Sequence, residues 1–388
     1  MELRRHMLLC FCLIVPTVMG FVGQTNVPLK GRNSLSMGNV VDDFFGKPSD
    51  NIVDKALGKI PGGVDVTAHY LNNEAPQRWV PGEAREGFRS GFISIVGSPN
   101  VGKSTLLNRL VGQKISIVTS KSQTTRHRIL GVVTHEDAQI IYQDTPGAMI
   151  PNYRLQEGMM NFVRGAIKEC DALLLMTDIF EKEFPVDILL DRVKRAKVPL
   201  IIAINKIDML ETGKMSAETL EEVGNLESIV TRWQESFPAA KIIPISAMEG
   251  LETDELVVAL KQHLPEGPPL YPEETLTDRS ERFIVGEMIR EKVFTSYGQE
   301  IPYSTEVSVT SFKEEENLTR IEAYIICTRN SQKGMIIGKG GQKIKEVGTE
   351  ARKALEEFLD RRVYLELRVK VDKDWRKNDA SLSRYGYL

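Results

Sequence analysis

One stretch limits this chain more than any other: VGSPNVGKST, residues 96–105. Its GSPNVGKS core satisfies GxxxxGK[ST] at Gly97, Gly102, Lys103 and Ser104. The apolar run GFISIVGS leads into it, and KSTLLNRLVG, with helical spacing, follows. A strand turning through a glycine loop into a helix aims backbone N–H groups and the positive helix end at one point, which suits a phosphate chain. Lys103 is expected at the β- and γ-phosphates and Ser104 on Mg²⁺. Asn100, Val101 and Thr105 complete the expected cradle.

The segments that follow agree. AQIIYQDTPG, DALLLMTDI, VPLIIAINKID and AKIIPISA read as buried strands, separated by helical patterns such as PVDILLDRVKRAK and LEEVGNLESIVTRWQESF. Such alternation means an α/β fold with a mostly parallel sheet covered on both faces, with ligands at the carboxyl ends of the strands. DTPG, holding Asp144, Thr145, Pro146 and Gly147, sits at one such end. Asp144 is expected to bind Mg²⁺ through water, and Gly147 to offer its N–H to the γ-phosphate with no Cβ in the way.

NKID then selects the base. The Asp208 carboxylate can accept from guanine N1–H and the 2-amino group, whereas adenine would leave it unpaired. Asn205 is expected to tie this loop to the phosphate loop, and the Lys206 stem to cover the base. Ser246 and Ala247 of SAMEG form the second guanine-side loop. In SKSQTTRHRILG, a threonine hydroxyl would reach Mg²⁺ only while γ-phosphate is present, so the loop would order and disorder with hydrolysis. Thr124 and Thr125 both stay open, with Thr125 preferred. The catalytic roles fall on Lys103, Thr125 and Gly147. Ala148 stands where Ras-like enzymes carry a water-orienting Gln, so slow intrinsic turnover is expected. On that ground a GTP-binding module without useful turnover is the rival of a different class.

A second glycine loop lies in KGMIIGKGGQKIKE, residues 333–346. The formal net charge is only −3, so nucleic acid would need a local basic patch. This loop offers one: Arg329, Lys333, Lys339, Lys343 and Lys345 occur with no acid between 329 and 345. The surrounding order is helix, strand, strand, helix–GKGG–helix, strand, which matches a smaller α+β domain, a type II KH domain. A GxxG clamp grips single-stranded backbone. Lys333, Gly338, Lys339, Gly340, Gly341 and Lys343 are therefore the expected RNA contacts. The tail DWRKNDASLSRYGYL, with Trp375, Arg376, Lys377, Arg384, Tyr385 and Tyr387, either extends that site by stacking or seals a core.

GSPNVGKSTLLNRL, SQTTRHRILG, DTPG, RFIVGEMIREKVF, EIPYS and IIGKGGQKIKEVGTEARKALEEFL together resemble the Era family of GTPases over roughly residues 90–388. A TrmE-like chain would need a modification domain around the G domain, and the double-G-domain relative a second NKxD; neither is present. The resemblance implies GTP/GDP and Mg²⁺ as ligands, with a potassium ion at Asn100. It also implies binding near the 3′ end of small-subunit rRNA and a role in assembly of the small ribosomal subunit. A monomer is expected, and a peripheral membrane contact is left open.

The expected organisation is a leader over 1–41, an irregular extension over 42–88, the GTPase domain over 89–264, a Pro-rich linker over 265–278, and the KH domain with its tail over 279–388. In the leader, Arg4 and Arg5 precede a short apolar run, and residues 21–41 carry no acid. Signal-like then transit-like composition points to a plastid reached through a bipartite leader, with mitochondrion or secretion as alternatives. Four cysteines without framework or CxxC spacing fit a reducing compartment and no disulfide partner.

Overall fold

The structure, a computed structural model, describes residues 85–388 apart from 185, 212 and 299. The leader and residues 42–84 of the extension lie outside the described residues.

Six strands form the first sheet: β1 (Arg89–Gly97), β2 (Ile129–Thr134), β3 (Ala138–Asp144), β4 (Ala172–Asp178), β5 (Leu200–Asn205) and β6 (Lys241–Pro244), in the order β2-β3-β1-β4-β5-β6. All pairings are parallel except β2 with β3. β3 and β4 are buried at every residue, as a sheet covered on both faces requires. One face packs on α1 (Lys103–Val111) and α6 (Thr253–Lys261). The other packs on α2 (Arg154–Lys168), α3 (Asp187–Arg195) and α5 (Leu226–Ser236). The continuous helical pattern expected around Gly224 is broken there. α4 (Ala217–Val223) ends at Gly224, at φ +83°, and Asn225 restarts the chain as α5 by accepting from Ser228 N at 2.8 Å.

The Pro-rich linker is a strap laid on the sheet rather than a free spacer. Ser90 N donates to Pro265 O, and Val132 N to Leu276 O. The buried Gln139 side chain accepts from Leu270 N and Tyr271 N and donates to Tyr271 O. Prolines remove donors, so neighbouring residues and a side chain satisfy the strap.

The second sheet, β7 (Glu306–Glu314), β8 (Leu318–Cys327) and β9 (Arg362–Val371), has order β7-β8-β9, antiparallel then parallel. α7 (Glu281–Ser296) and α10 (Gln342–Leu359) cover one face through Ile284, Val285, Met288, Ala351 and Leu355. The short α8 (Ile301–Ser304) precedes β7, and α9 (Asn330–Ile337) leads into the GKGG loop.

Of the two roles open to the tail, the structure places its aromatics in a core. Trp375 is fully buried and Tyr387 nearly so, packed with Leu155, Met159 and Val163 of α2 and with Leu382 of α11 (Asp379–Arg384). Trp375 Nε1 donates to Ser304 O at 3.1 Å. An RNA-stacking role for Trp375 and Tyr387 is thereby excluded in this conformation: their faces are already covered.

Candidate nucleotide site and nucleic-acid groove

Every loop named from sequence at a strand end converges at the carboxyl edge of the first sheet. A Cβ on Gly97 would lie 2.0 Å from Met176 O, and one on Gly147 would lie 2.7 Å from Pro99 Cα. Both positions therefore exclude any larger residue, and Ala148 N bonds Gly97 O at 2.9 Å to hold the two loops together. Lys103 is buried and donates to Gly97 O at 3.1 Å and Ser98 O at 2.7 Å. Burial pushes its pKa down to about 8, opposed by the nearby Asp144 and Glu181 carboxylates. Val101 is buried behind the loop, and Thr105 is half-buried on the first turn of α1.

Ser104, Thr125 and Asp144 meet. Ser104 Oγ donates to Asp144 Oδ2 at 2.6 Å and lies 2.8 Å from Thr125 Oγ1. Thr124 is engaged elsewhere, with its hydroxyl on Thr119 Oγ1 and Lys121 O. The other Asp144 oxygen, Oδ1, is buried and unpartnered. Burial raises the Asp144 pKa against the pull of the Ser104 hydroxyl, Lys103 and Ser116. An orphaned carboxylate oxygen beside two hydroxyls is an all-oxygen donor set that fits Mg²⁺. Thr145 serves differently: its Oγ1 donates to Ile95 O at 2.7 Å and pins the loop, while Pro146 is buried beside it.

On the base side, Asn205 Nδ2 donates to Val101 O at 2.7 Å and its Oδ1 accepts from Ala247 N at 2.8 Å. One amide thus joins phosphate loop, NKID and SAMEG. Asp208 Oδ1 accepts from the buried Ser246 Oγ at 2.7 Å, which fixes the carboxylate. Lys206 is left-handed at φ +67°, and its Nζ pairs with Asp178 at 2.6 Å while lying 5.6 Å from the Phe180 ring centre. Asn100, also left-handed, donates from Nδ2 to Ser120 O at 3.0 Å.

Four contributors were missed from sequence. Ser116 donates to Asp144 Oδ2 at 3.0 Å. Arg109 Nε bonds Ala247 O at 2.6 Å. Asp178 holds Lys206. Glu181 accepts from Ser98 Oγ and, at 2.7 Å, from Thr177 Oγ1. Asp178 and Glu181 end or follow β4, so the strand-end rule could have flagged them; nothing in the local sequence marks Ser116 or Arg109.

The second loop borders an open cleft of about 680 Å³ lined by Tyr297, Ile301, Met335, Gly338, Lys339 and Lys343, among others. Gly338, Gly340 and Gly341 have φ of +73°, +60° and +79°, which explains a glycine at each. Lys339 and Lys343 are exposed, Lys333 half-buried. The cleft therefore presents apolar side chains on its walls, with Lys339 and Lys343 at its lip and Gln342 and Glu346 beside them, a mixture that suits stacked bases and a phosphate backbone.

Residues 92–206 match the family described as 50S ribosome-binding GTPase, and residues 300–376 match the KH domain family. The chain is 43% identical over 302 residues to GTPase Era of Clostridium acetobutylicum, covering 77% of this chain and 98% of that protein. Among solved structures it resembles Era in complex with MgGDPNP and nucleotides 1506–1542 of 16S ribosomal RNA, at 39% identity and TM-score 0.71, over 78% of this chain and 99% of that one. An Aquifex aeolicus Era variant bound to GDP.AlF4⁻ gives 39% identity and TM-score 0.71, over 78% and 100%. With a P-loop G domain leading into a KH domain, and with that extent of identity, the chain belongs to the Era family of GTPases.

Proposed function

We propose that this GTPase is a nucleotide-operated RNA-binding switch. Its KH groove takes single-stranded small-subunit rRNA near the 3′ end, in assembly of the small ribosomal subunit of a plastid. The observation that carries the RNA half is the open, lysine-lipped GKGG cleft in a chain 39% identical to an Era that was solved with a 16S rRNA fragment. The leader composition supports the plastid.

Ser104, Thr125 and Asp144 would hold Mg²⁺, and Asn100 a potassium ion. When bound, Mg²⁺ neutralises charge developing on the β- and γ-phosphates. The chain's own groups do the rest. Lys103, already aimed by two loop carbonyls, turns its charge to the β,γ-phosphates, and the 97–103 amides close around them. Gly147 N–H reaches the γ-phosphate. Asp208, fixed by Ser246, reads the guanine edge. With Ala148 at the position after DTPG, no side chain there orients water, so intrinsic turnover is slow.

The test is binding of a labelled single-stranded RNA copied from the organellar small-subunit rRNA 3′ end, by wild type and by Gly338→Asp with Gly341→Asp. Loss in the variant with nucleotide affinity retained supports the groove; undiminished RNA binding overturns it. For the plastid, a fluorescent fusion of residues 1–60 should enter that organelle. Accumulation in mitochondria or the medium refutes the targeting reading.

A further inference from the structure

The segment that carries Thr125 also grips the KH domain. Glu291 of α7 accepts from Val118 N at 3.2 Å and pairs with Lys114 at 2.7 Å. Arg290 donates to Thr124 O at 2.7 Å. Lys121 Nζ donates to Phe294 O and, at 2.5 Å, to Tyr297 O. These carbonyls end α7, where the last turn has no intrahelical donors and the helix dipole is negative. A lysine of the G domain is therefore the C-terminal cap of a KH helix.

Tyr297, the residue that closes α7, continues the path. Its phenol donates to Ile336 O at 2.7 Å, in the last turn of α9 and two residues before Gly338. Its ring lies 5.3 Å from Lys343 Nζ on the far side of the loop, and it lines the cleft. On the nucleotide side, Ser120 O is held by Asn100 of the phosphate loop, and Thr125 by Ser104. Phosphate loop, Lys121, Tyr297 and GKGG are thus joined by consecutive contacts.

We propose that Lys121 and Tyr297 are positioning residues through which the nucleotide state sets the geometry of the RNA groove. This rests on the RNA-switch reading above. With Thr125 and Ser120 held at a γ-phosphate-bearing site, Lys121 stays seated, α7 keeps its cap, and Tyr297 holds α9 so that the GKGG lip is formed. On hydrolysis the 119–125 segment loosens and Lys121 leaves the helix end. Tyr297 is then free to shift, and the lip opens. The element is two-state because the α7 carbonyls are either capped by Lys121 or not.

The experiment compares Kd for the same labelled RNA with a non-hydrolysable GTP analogue and with GDP, in wild type, Lys121→Met, Lys121→Arg, Tyr297→Phe and the Met/Phe double variant. Wild type should bind more tightly with the analogue, by a factor in the roughly 5–150-fold range of such couplings. Lys121→Met and Tyr297→Phe should each bring the ratio to within about twofold, Lys121→Arg should restore much of it, and the double variant should add nothing. Tyr297→Phe removes one hydroxyl, so it keeps the test decisive should Lys121→Met fold poorly. Amide exchange over residues 338–343 should slow with the analogue in wild type and in Lys121→Arg, and not in Lys121→Met or Tyr297→Phe. A wild-type ratio retained in both single variants overturns the relay and leaves the switch standing. A wild-type ratio of one overturns both.

Discussion

Arg126, next to Thr125, should be the most costly single cation to remove at the domain interface. It is 1% exposed and donates to Thr305 O at 2.7 Å, Pro302 O at 3.0 Å and Glu306 Oε2 at 3.2 Å. Its guanidinium also lies 5.5 Å from the Phe294 ring centre. Arg126→Met keeps much of the apolar volume and deletes the charge. The Glu306 carboxylate then keeps Tyr387 OH at 2.5 Å and Val307 N at 2.9 Å but loses its paired cation, Thr305 O loses its Arg126 donor, and Pro302 O is left with Thr305 Oγ1 at 3.2 Å. At an effective dielectric of 20 the pair attraction at this distance is roughly 5 kcal/mol, and breaking a buried pair from one side costs about 3–5 kcal/mol. That is a large share of a typical stability of about 5–15 kcal/mol. Because the contact joins two domains, its loss should also divide the unfolding into two steps. Urea denaturation followed by circular dichroism measures both. Glu306→Gln in the Arg126→Met background should recover about half of the loss, since no unpaired charge remains. A single variant that loses less than about 1 kcal/mol, with one unaltered transition, would refute the reasoning.

Other outcomes follow from the same geometry. His127 is buried against Glu287, Glu306, Arg279 and Arg290, stacks on Tyr387 at 4.3 Å, and has its pKa lowered from 6.5 by burial. The unfolded chain therefore binds this proton first as pH falls. Stability should decline below about pH 6.5, and His127→Gln should flatten that part of the curve. Asp208→Asn should reduce the preference for GTP over ATP by about 10²-fold or more in competition binding, because guanine donors lose their fixed acceptor. Trp375→Ala should cost about 3–5 kcal/mol in denaturation, with RNA affinity of the folded protein unchanged. A selective loss of RNA affinity would restore the tail to the RNA site.

What the sequence disclosed follows how local each feature is. The phosphate loop, DTPG, NKID and GKGG were legible because contiguous residues determine each loop's own backbone, down to the positive φ of Gly338, Gly340 and Gly341. Ser116 and Arg109 were not, because only the fold brings them to Asp144 and Ala247. The break at Gly224 was legible in principle, since Gly followed by Asn is a helix stop followed by a helix start. Trp375 could not be assigned, as a tail aromatic has the same sequence signature whether it meets RNA or a core.

The most instructive departure is α7. Glu287, Arg290 and Glu291 lie within one turn, and periodicity alone would put that charge on a solvated face. All three are buried, because the 114–128 segment and the KH sheet cover the helix from opposite sides. Apolar residues there would have made a stronger and more permanent interface. Here Glu287 and Arg290 pair within the helix, and the seam itself is crossed by Arg290 to Thr124 O and by Glu291 to Lys114. Charged groups buried this way make a weaker interface, since much of their attraction is offset by desolvation. A change in nucleotide can shift such an equilibrium only by its differential contact energy, a few kcal/mol at most. An interface held by compensated charges lies within that reach; a fully apolar one of the same area would not.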